Sequence, residues 1–296
     1  MNAPIGFIGI GQMGRPMVLR LAGAGWPVIA HDRRAPALEP LAGVTGVTVA
    51  IEAGTLAGAC ATVILMLPDS AIVDALLWTD GLAARLAPGT LVIDMGSSDP
   101  TATRANQARL AAAGIALVDA PVSGGVRRAV DGSLAIMVGG EAADVERALP
   151  MLQPLGRTIV PVGPPGAGHA VKALNNFVSA AGLAATCEAL VAARRFGIDP
   201  AVANRVFNAS SGRNNTTDTK VESFMLSGRF DSGFAAALMR KDVDTALALT
   251  ESLGSERALM QACAALWQQA QAALPAGADH TAMFTYVAGD AGGRAD

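Results

Sequence analysis

A lysine and two asparagines near the middle of the chain could together carry out proton-transfer chemistry. Asn175 and Asn176 follow Lys172 at the third and fourth positions, so a helix would place all three side chains on one face. Desolvation lowers the pKa of a lysine and makes it usable as a general base or acid, and an adjacent asparagine can hold a hydroxyl or a carbonyl. A solvated surface patch of the same three residues is an equally good interpretation of this segment alone.

A glycine-rich turn near the start of the chain has the spacing of a dinucleotide-binding loop. The apolar strand Ile5–Ile8 is followed at once by Gly9-Ile-Gly-Gln-Met-Gly14 and then by a helix-forming stretch. In such a turn Gly9 allows the tight bend, Gly11 lets the backbone approach a pyrophosphate, and Gly14 lets helix and strand pack closely. The helix N-terminus offers N–H groups and a positive dipole end to the phosphates. We therefore predict a cofactor-binding turn made of Gly9, Gly11, Gln12, Met13 and Gly14.

An acidic residue at the end of the second predicted strand bears on which dinucleotide binds. Asp32 lies about 20 residues after the glycine turn, where a carboxylate accepts hydrogen bonds from the adenosine ribose and repels a 2′-phosphate. Arg33, beside it, could bind a 2′-phosphate or could simply lie in a solvated loop. The sequence therefore favours NAD as the cofactor and leaves NADP possible.

Strands and helices alternate through the first half of the chain, which predicts an α/β fold. Continuous apolar strands separated by helices indicate a largely parallel sheet covered on both faces. The predicted strands are Ile5–Ile8, Val28–His31, Val63–Leu67, Leu91–Asp94, Leu117–Ala120, Leu134–Val138 and Thr158–Val162. The predicted helices here include Met13–Ala24, Ala71–Leu77 and Thr101–Ala113.

A Pro/Gly-rich segment over residues 161–168 ends this pattern, and the rest of the chain reads as helical. The predicted helices after it are Ala170–Phe196, Pro200–Ala209, Phe234–Leu253 and Glu256–Ala273. We therefore predict two domains. A Rossmann-type, doubly wound dinucleotide-binding domain spans residues 1–163. An all-helical substrate and oligomerisation domain spans residues 164–296 and begins with a long interdomain helix.

The composition argues against several classes of protein. A net charge of −3 does not suggest a nucleic-acid partner. No charge-free apolar run reaches the roughly 18 residues that span a bilayer, and the N-terminus lacks the basic region and cleavage site of a signal peptide, so we expect a cytoplasmic protein without a membrane partner. The three cysteines, Cys60, Cys187 and Cys263, are too far apart in sequence to suggest a metal site or a disulfide framework.

The inventory of reactive residues also excludes some dehydrogenase designs. A Tyr-x-x-x-Lys pair is impossible, because Tyr286 is the only tyrosine and no lysine follows it. A zinc-dependent design requires Cys and His ligands, which are few and scattered, so we expect no metal. Of the three histidines only His169 lies near a plausible site, and Lys172 remains the better candidate for the acid or base.

Seven motifs occur in order along nearly the whole chain. They are Gly6-Phe-Ile-Gly-Ile-Gly-Gln-Met-Gly-Arg-Pro-Met17, Leu65-Met-Leu-Pro68, Leu91-Val-Ile-Asp-Met-Gly-Ser-Ser-Asp-Pro100, Asp119-Ala-Pro-Val-Ser-Gly-Gly125 with Met137-Val-Gly-Gly140, Gly166-Ala-Gly-His-Ala-Val-Lys-Ala-Leu-Asn-Asn176 and Leu238-Met-Arg-Lys-Asp242. Through them the chain resembles the β-hydroxyacid dehydrogenase family, which includes 3-hydroxyisobutyrate dehydrogenase and tartronate semialdehyde reductase.

The resemblance implies roles for residues at the matching positions. Lys172 corresponds to the catalytic lysine of the family, and Asn176, with Asn175 beside it, to the partner that orients the substrate. The loop Ser123, Gly124 and Gly125 corresponds to the segment that binds the substrate carboxylate, for which its hydroxyl and close backbone amides are suited. The further cofactor contacts that the resemblance implies are Leu67, Pro68, Ser97 and Lys241.

The reaction expected from this resemblance is reversible hydride transfer between NAD(P) and a short 3-hydroxy carboxylate. An NADPH-dependent semialdehyde reductase and a non-catalytic dinucleotide-binding module are the alternatives. The family commonly forms homodimers or homotetramers, and we expect the same here.

Overall fold

The computed structural model describes residues 3–290, and the chain divides into two compact units. The first unit is Met1–Lys172 and the second begins at Ala173. The division falls inside a long helix, nine residues beyond the domain boundary placed at residue 163 from the sequence. The reason is local, because backbone amides at the start of that helix donate hydrogen bonds to a carboxylate of the first unit.

The first unit is built on a nine-stranded sheet that is parallel over most of its width. Its path runs in the order β3-β2-β1-β4-β5-β6-β8-β7, and β9 pairs with β8. β8 runs antiparallel to its neighbours β6 and β7 and parallel to β9. The strands are β1 Ile5–Ile8, β2 Val28–His31, β3 Val47–Val49, β4 Thr62–Leu65, β5 Leu91–Asp94, β6 Ala116–Asp119, β7 Val122–Ser123, β8 Leu134–Gly139 and β9 Gly156–Gly163.

The central strands are continuously apolar because both faces of the sheet are covered. Successive side chains point to opposite faces. Phe7 and Ile64 enter the core on one face, while their neighbours Ile8 and Leu65 enter the core on the other. All four side chains are buried. This arrangement confirms the predicted Rossmann-type sheet.

Six helices of the first unit cover these faces. They are α1 Gly14–Gly23, α2 Gly54–Ala59, α3 Ser70–Asp74, α4 Pro100–Ala111, α5 Gly125–Asp131 and α6 Ala142–Leu152. A π-helical turn, Ala75–Thr79, continues α3, so the predicted helix Ala71–Leu77 changes its hydrogen-bonding pattern midway. Asp99 caps α4 by accepting hydrogen bonds from the amides of Thr101 and Ala102, which explains why this helix begins at Pro100.

The second unit is helical, as predicted. The long helix α7, Ala167–Phe196, enters it from the first unit. It is followed by α8 Pro200–Ala209, α9 Asn215–Thr219, a π-helical turn Val221–Leu226, α10 Ala236–Ser252, α11 Ala258–Ala273 and α12 Met283–Ala288. Trp267 of α11 is fully buried in its core and donates its indole N–H to the carbonyl of Ala180 in α7 at 3.4 Å. Leu183 and Val243 are likewise fully buried in this core.

Helix α7 is long and apolar enough, by length and composition alone, to cross a membrane. Its most apolar 18-residue window has a mean hydropathy of 1.4, and 44% of that window is buried inside the protein. The core helix of a soluble protein satisfies the same criteria, so this helix gives only weak support to a membrane-spanning role.

Candidate active site

The glycine turn between β1 and α1 has the geometry that a dinucleotide needs. Gly9 has a φ of +102°, and a Cβ there would collide with the carbonyl of Met66. A Cβ on Gly14 would overlap the carbonyl oxygen of Gly9. A Cβ on Gly11, by contrast, would meet nothing within 4 Å. Gly9 and Gly14 are therefore required by the fold itself, whereas Gly11 leaves open space against which a pyrophosphate fits.

Asp32 is held against this turn at the end of β2. One carboxylate oxygen accepts a hydrogen bond from the amide of Ile10 at 2.8 Å, and the other accepts one from the amide of Arg34, also at 2.8 Å. The Nε of Arg34 lies 3.4 Å from the same carboxylate, whose side chain is 10% exposed. From the sequence, Arg33 and Arg34 are each either a phosphate contact or part of a solvated loop; in the structure Arg34 pairs with Asp32, and both arginines are exposed to solvent.

The loops that follow β4 and β5 lie against each other beside the glycine turn. Leu67 and Pro68 belong to the first loop and Ser97 to the second. A Cβ on Gly96 would lie only 2.5 Å from the carbonyl oxygen of Leu67. Asp94 shapes the second loop, because its carboxylate accepts hydrogen bonds from the amide of Gly96 at 2.9 Å and from the hydroxyl of Ser98 at 2.8 Å.

The sheet topology explains why these loops converge. Strand order reverses between β1 and β4, and in open α/β sheets a ligand binds at the carboxyl ends of the strands on either side of such a switch. The predicted cofactor residues of the first unit follow the carboxyl ends of β1, β2, β4 and β5.

The predicted carboxylate-binding loop begins in the short antiparallel strand β7. Ser123 pairs with Ala135 of β8 and is half-buried. Gly124 and Gly125 are exposed and have φ values of +131° and +67° as the chain turns into α5. This turn is therefore accessible to solvent at its two glycines, and a hydroxyl followed by close backbone amides is suited to an anion.

Lys172 lies half-buried in the second turn of α7. The start of this helix is fastened to the end of β6. The fully buried carboxylate of Asp119 accepts hydrogen bonds from the amides of Gly166 at 2.7 Å and His169 at 2.9 Å. Asp119 and His169 stand in the recognised motifs but were assigned no site role from the sequence, because no local pattern shows that they meet.

In the second unit, Asn176 belongs to a polar network on α7 and α10. Its side-chain N–H donates to the Asp242 carboxylate at 2.5 Å, and its carbonyl oxygen accepts from the Asn175 side chain at 3.1 Å. The Nζ of Lys241 lies 3.6 Å from the other oxygen of Asp242. Asp242 thus fixes the orientation of Asn176. Asp242 stands in a sequence motif without an assigned role, although its position directly after Lys241 is a usable signal.

Another cluster in the second unit contains Ser, His and Asp side chains but is not arranged as a hydrolytic triad. The hydroxyl of Ser232 lies directly on the Asp279 carboxylate, at 2.8 and 3.0 Å from its oxygens, and the Nδ1 of His280 is 2.9 Å from the carbonyl of Phe234. Burial alone would raise the pKa of Asp279, but hydrogen bonds from His280, Thr281 and Ser232 outweigh it and hold that pKa well below its usual range. Asp279 caps the short helical turn that precedes α12, so the cluster has a structural role in the second unit.

Models of two protein families match the chain. The model for the NAD-binding domain of 6-phosphogluconate dehydrogenase matches residues 4–163. The model described as the NAD-binding of NADP-dependent 3-hydroxyisobutyrate dehydrogenase matches residues 166–287. Together they cover both compact units.

Individual relatives are similar over most of their length. A 2-(hydroxymethyl)glutarate dehydrogenase of Eubacterium barkeri is 36% identical over 82% of this chain and 81% of its own. An NAD-dependent L-serine dehydrogenase of Pseudomonas aeruginosa is 37% identical over 82% of this chain and 83% of its own. The solved structure of Mycobacterium tuberculosis 3-hydroxyisobutyrate dehydrogenase with L-serine has a TM-score of 0.89 and 33% identity, covering 97% of this chain and 99% of that chain.

The chain belongs to the β-hydroxyacid dehydrogenase family. This confirms the resemblance seen in the sequence. Like the relatives, this β-hydroxyacid dehydrogenase is an oxidoreductase of hydroxy acids that uses NAD or NADP.

Replacing Gly11 separates the needs of the ligand from the needs of the fold. We expect Gly11→Ala to unfold at the same temperature as the wild type but to bind NADH at least about tenfold more weakly, because only a bound pyrophosphate would meet the new methyl group. Calorimetry and fluorescence titration measure the two effects. Gly58→Ala, whose Cβ also meets nothing within 4 Å, is the matched control. Wild-type NADH affinity in Gly11→Ala would show that the pyrophosphate does not lie on this turn.

Proposed function

We propose that this dehydrogenase reversibly oxidises a short 3-hydroxy carboxylate to its semialdehyde with Lys172 as the general acid and base. The observation that carries the proposal is the position of Lys172, one turn beyond a helix start that is bound to the carboxyl edge of the nucleotide-binding sheet. Lysine at such a place can exchange a proton with a substrate hydroxyl, whereas arginine cannot.

The names of the relatives support this class of substrate through a shared chemical group. 2-(Hydroxymethyl)glutarate, L-serine and 3-hydroxyisobutyrate each carry a primary alcohol on the carbon next to the one bearing a carboxylate. They differ in the other substituent of that middle carbon, which is a carboxyethyl, an ammonium or a methyl group. We therefore propose that this chain recognises the HOCH2–CH–COO⁻ unit, and that the variable substituent decides its particular substrate.

Each proposed residue then has one task. Ser123, Gly124 and Gly125 bind the substrate carboxylate, and Asn176, oriented by Asp242, holds the hydroxyl oxygen. Lys172 takes the hydroxyl proton during oxidation and returns it to the carbonyl oxygen during reduction. The bound nicotinamide supplies the acceptor for the hydride that leaves the alcohol carbon. Lys241 remains a predicted cofactor contact.

Two substitutions of Lys172 test its role. We expect Lys172→Ala to lower kcat by about 10²–10⁴-fold while NADH binds as in the wild type, because the proton acceptor alone is removed. Lys172→Arg should be similarly inactive, because it keeps the positive charge but cannot lose a proton near neutral pH. Steady-state turnover and NADH titration measure the two properties. Substantial turnover by Lys172→Arg would show that charge, and not proton transfer, is what the reaction needs.

A panel of hydroxy acids identifies the substrate in the same assay. It comprises 3-hydroxyisobutyrate, glycerate, L-serine, threonate, 4-hydroxybutyrate and a sulfonated hydroxy acid, each with NAD and with NADP. A preference for 4-hydroxybutyrate, whose alcohol is one carbon further from the carboxylate, would favour a semialdehyde reductase of the succinic type. Tight NADH binding with no turnover of any of them would favour a non-catalytic dinucleotide-binding module.

We also propose that NAD is preferred over NADP, because Asp32 is held where the adenosine ribose would lie. Asp32→Asn should shift the ratio of NAD to NADP affinity toward NADP by about tenfold or more, since it removes the charge but keeps an oxygen for the Ile10 amide. Arg33→Ala in that background should weaken NADP if Arg33 binds the 2′-phosphate. An unchanged ratio in Asp32→Asn would contradict this preference.

We propose that the protein is a homodimer or homotetramer of the cytoplasm. Large apolar side chains of the second unit are exposed on α7, on α8 and on the segment between them. They are Leu174, Val178, Phe196, Ile198, Val202 and Val206. Leu253 and Leu259, further along the chain, are exposed as well. Such a surface is costly in water, and a second copy of the chain would cover it. The three buried free cysteines suit a reducing compartment. Light scattering of the purified protein should give at least twice the 29.9 kDa of the chain; a mass of one chain would refute the assembly.

A further inference from the structure

We infer that Asp119 is a positioning residue for the proposed reaction. From the end of β6 it caps the N-terminus of α7 and so fixes the position of Lys172. This inference rests on the proposed role of Lys172. It assigns a task to a carboxylate that is completely shielded from solvent and lies at the end of β6.

The start of α7 cannot be capped by its own residues. The residue before the helix is Gly166, which has no side chain and a φ of +85°. A helix leaves its first amides without partners inside the helix, and a side chain at the cap usually accepts from one of them. Here the two oxygens of Asp119 accept from the amide of Gly166 at 2.7 Å and from that of His169 at 2.9 Å. One carboxylate thus does from a distance what a capping box does locally, and its charge faces the positive end of the helix dipole.

The surrounding backbone is packed closely enough to fix this geometry. A Cβ on Gly139 of β8 would lie 2.6 Å from one Asp119 oxygen. A Cβ on Gly168 would lie 2.8 Å from the other oxygen and 2.5 Å from the carbonyl of Met137. A larger residue at either position could be accommodated only if the first turn of α7 or the facing strands moved, so the glycines permit the close approach of helix and sheet.

The His169 side chain makes a second contact that holds the same turn of α7. Its Nδ1 lies 2.8 Å from the hydroxyl of Thr103, and that hydroxyl donates its own proton to the carbonyl of Asp99 at 2.9 Å. On its other side the ring faces Asp94, which is 3.9 Å from Nε2 and pairs in register with Asp119. The turn is thus tied to α4 as well as to the sheet.

These contacts act on Lys172 through the helix itself. Lys172 follows His169 by three residues, which is about one helical turn. A regular helix transmits a shift of its first turn to the next one, and misplacing a reacting group by about 1 Å can cost about 10²-fold in rate. A loosened cap should therefore slow the chemical step and leave the nucleotide site, which is formed by other loops, unaltered.

The experiment compares Asp119→Asn and Gly168→Ala with two matched controls. Asp119→Asn keeps the shape of the side chain but removes its charge and turns one acceptor into a donor. Gly168→Ala keeps the carboxylate and displaces the turn by steric contact. Asp199→Asn makes the same change at the cap of α8, whose Ala201 amide it holds at 2.8 Å, and Gly58→Ala adds a methyl group in open space. Measured are kcat, KM, the pH dependence of kcat/KM, NADH affinity and the deuterium exchange of peptides along the chain.

The positioning role predicts a specific combination of results. Both Asp119→Asn and Gly168→Ala should lose about 10–100-fold in kcat, with KM and NADH affinity changed less than about threefold. The pH profile of kcat/KM should differ from that of the wild type, because the amine that exchanges the proton is displaced from the substrate hydroxyl. Deuterium exchange in Asp119→Asn and Gly168→Ala should rise in residues 164–172 alone. Gly58→Ala should behave as the wild type, and Asp199→Asn should keep the wild-type kcat while exchange rises only at the start of α8.

Three results would overturn the inference. Wild-type kcat in Asp119→Asn, with Lys172→Ala inactive, would refute the positioning role while leaving the proposed function intact. Faster exchange throughout the first unit, with activity lost only in proportion to unfolding and an unshifted pH profile, would make Asp119 merely structural. Full turnover by Lys172→Ala would remove the proposed function and this inference together.

Discussion

The rest of the candidate site depends on two hydrogen bonds that the amides of Gly166 and His169, at the start of α7, donate to the carboxylate of Asp119 at the end of β6. Asp119 ends a buried strand, and the helix that it caps carries Lys172 in its second turn and Asn176 in its third. A buried carboxylate is costly unless its oxygens are satisfied, and here the amides of a helix N-terminus satisfy them. The same bonds explain why the first unit extends to Lys172 and does not end before the helix.

The parallel sheet positions the other residues of the candidate site, because the strands that precede these residues all end at the same edge of the sheet. The glycine turn, Asp32, and the loops of Leu67 and Ser97 all follow the carboxyl ends of neighbouring strands. The Ile10 amide donates a hydrogen bond to Asp32, and the loops of Gly96 and Leu67 pass so close that a Cβ on Gly96 would collide with the Leu67 carbonyl. The proposed cofactor binding therefore depends on loops fixed by the sheet, whereas the proposed chemistry depends on a helix fixed by one carboxylate.

Much of the fold could be predicted because its signals are local. Val28–His31, Leu91–Asp94 and Pro200–Ala209 have the predicted bounds, since each is a continuous apolar strand or a helix opened by proline and preceded by a capping aspartate. β3 and β7 escaped prediction because strands of three and two residues give no periodicity. The reversed direction of β8 follows from its pairing, which the apolar pattern does not encode.

Candidate site residues could be predicted from the sequence where one local motif indicates both the residue and its role, as in the glycine turn. It was not predictable where the role comes from a partner far along the chain. Asp119 meets His169 across 50 positions, and Asn176 meets Asp242 across 66. Both carboxylates stand in motifs that the sequence displays, but their tasks follow only from the hydrogen bonds that the fold creates.

In the proposed reaction the amine of Lys172 transfers the proton. Rescue of Lys172→Ala by added primary amines tests this role, with kcat/KM measured against the concentration and the pKa of each amine. We expect turnover that rises with amine concentration and varies with amine pKa, as general acid–base catalysis requires. Turnover by Lys172→Ala that has the pH profile of the wild type and does not respond to amines would contradict it.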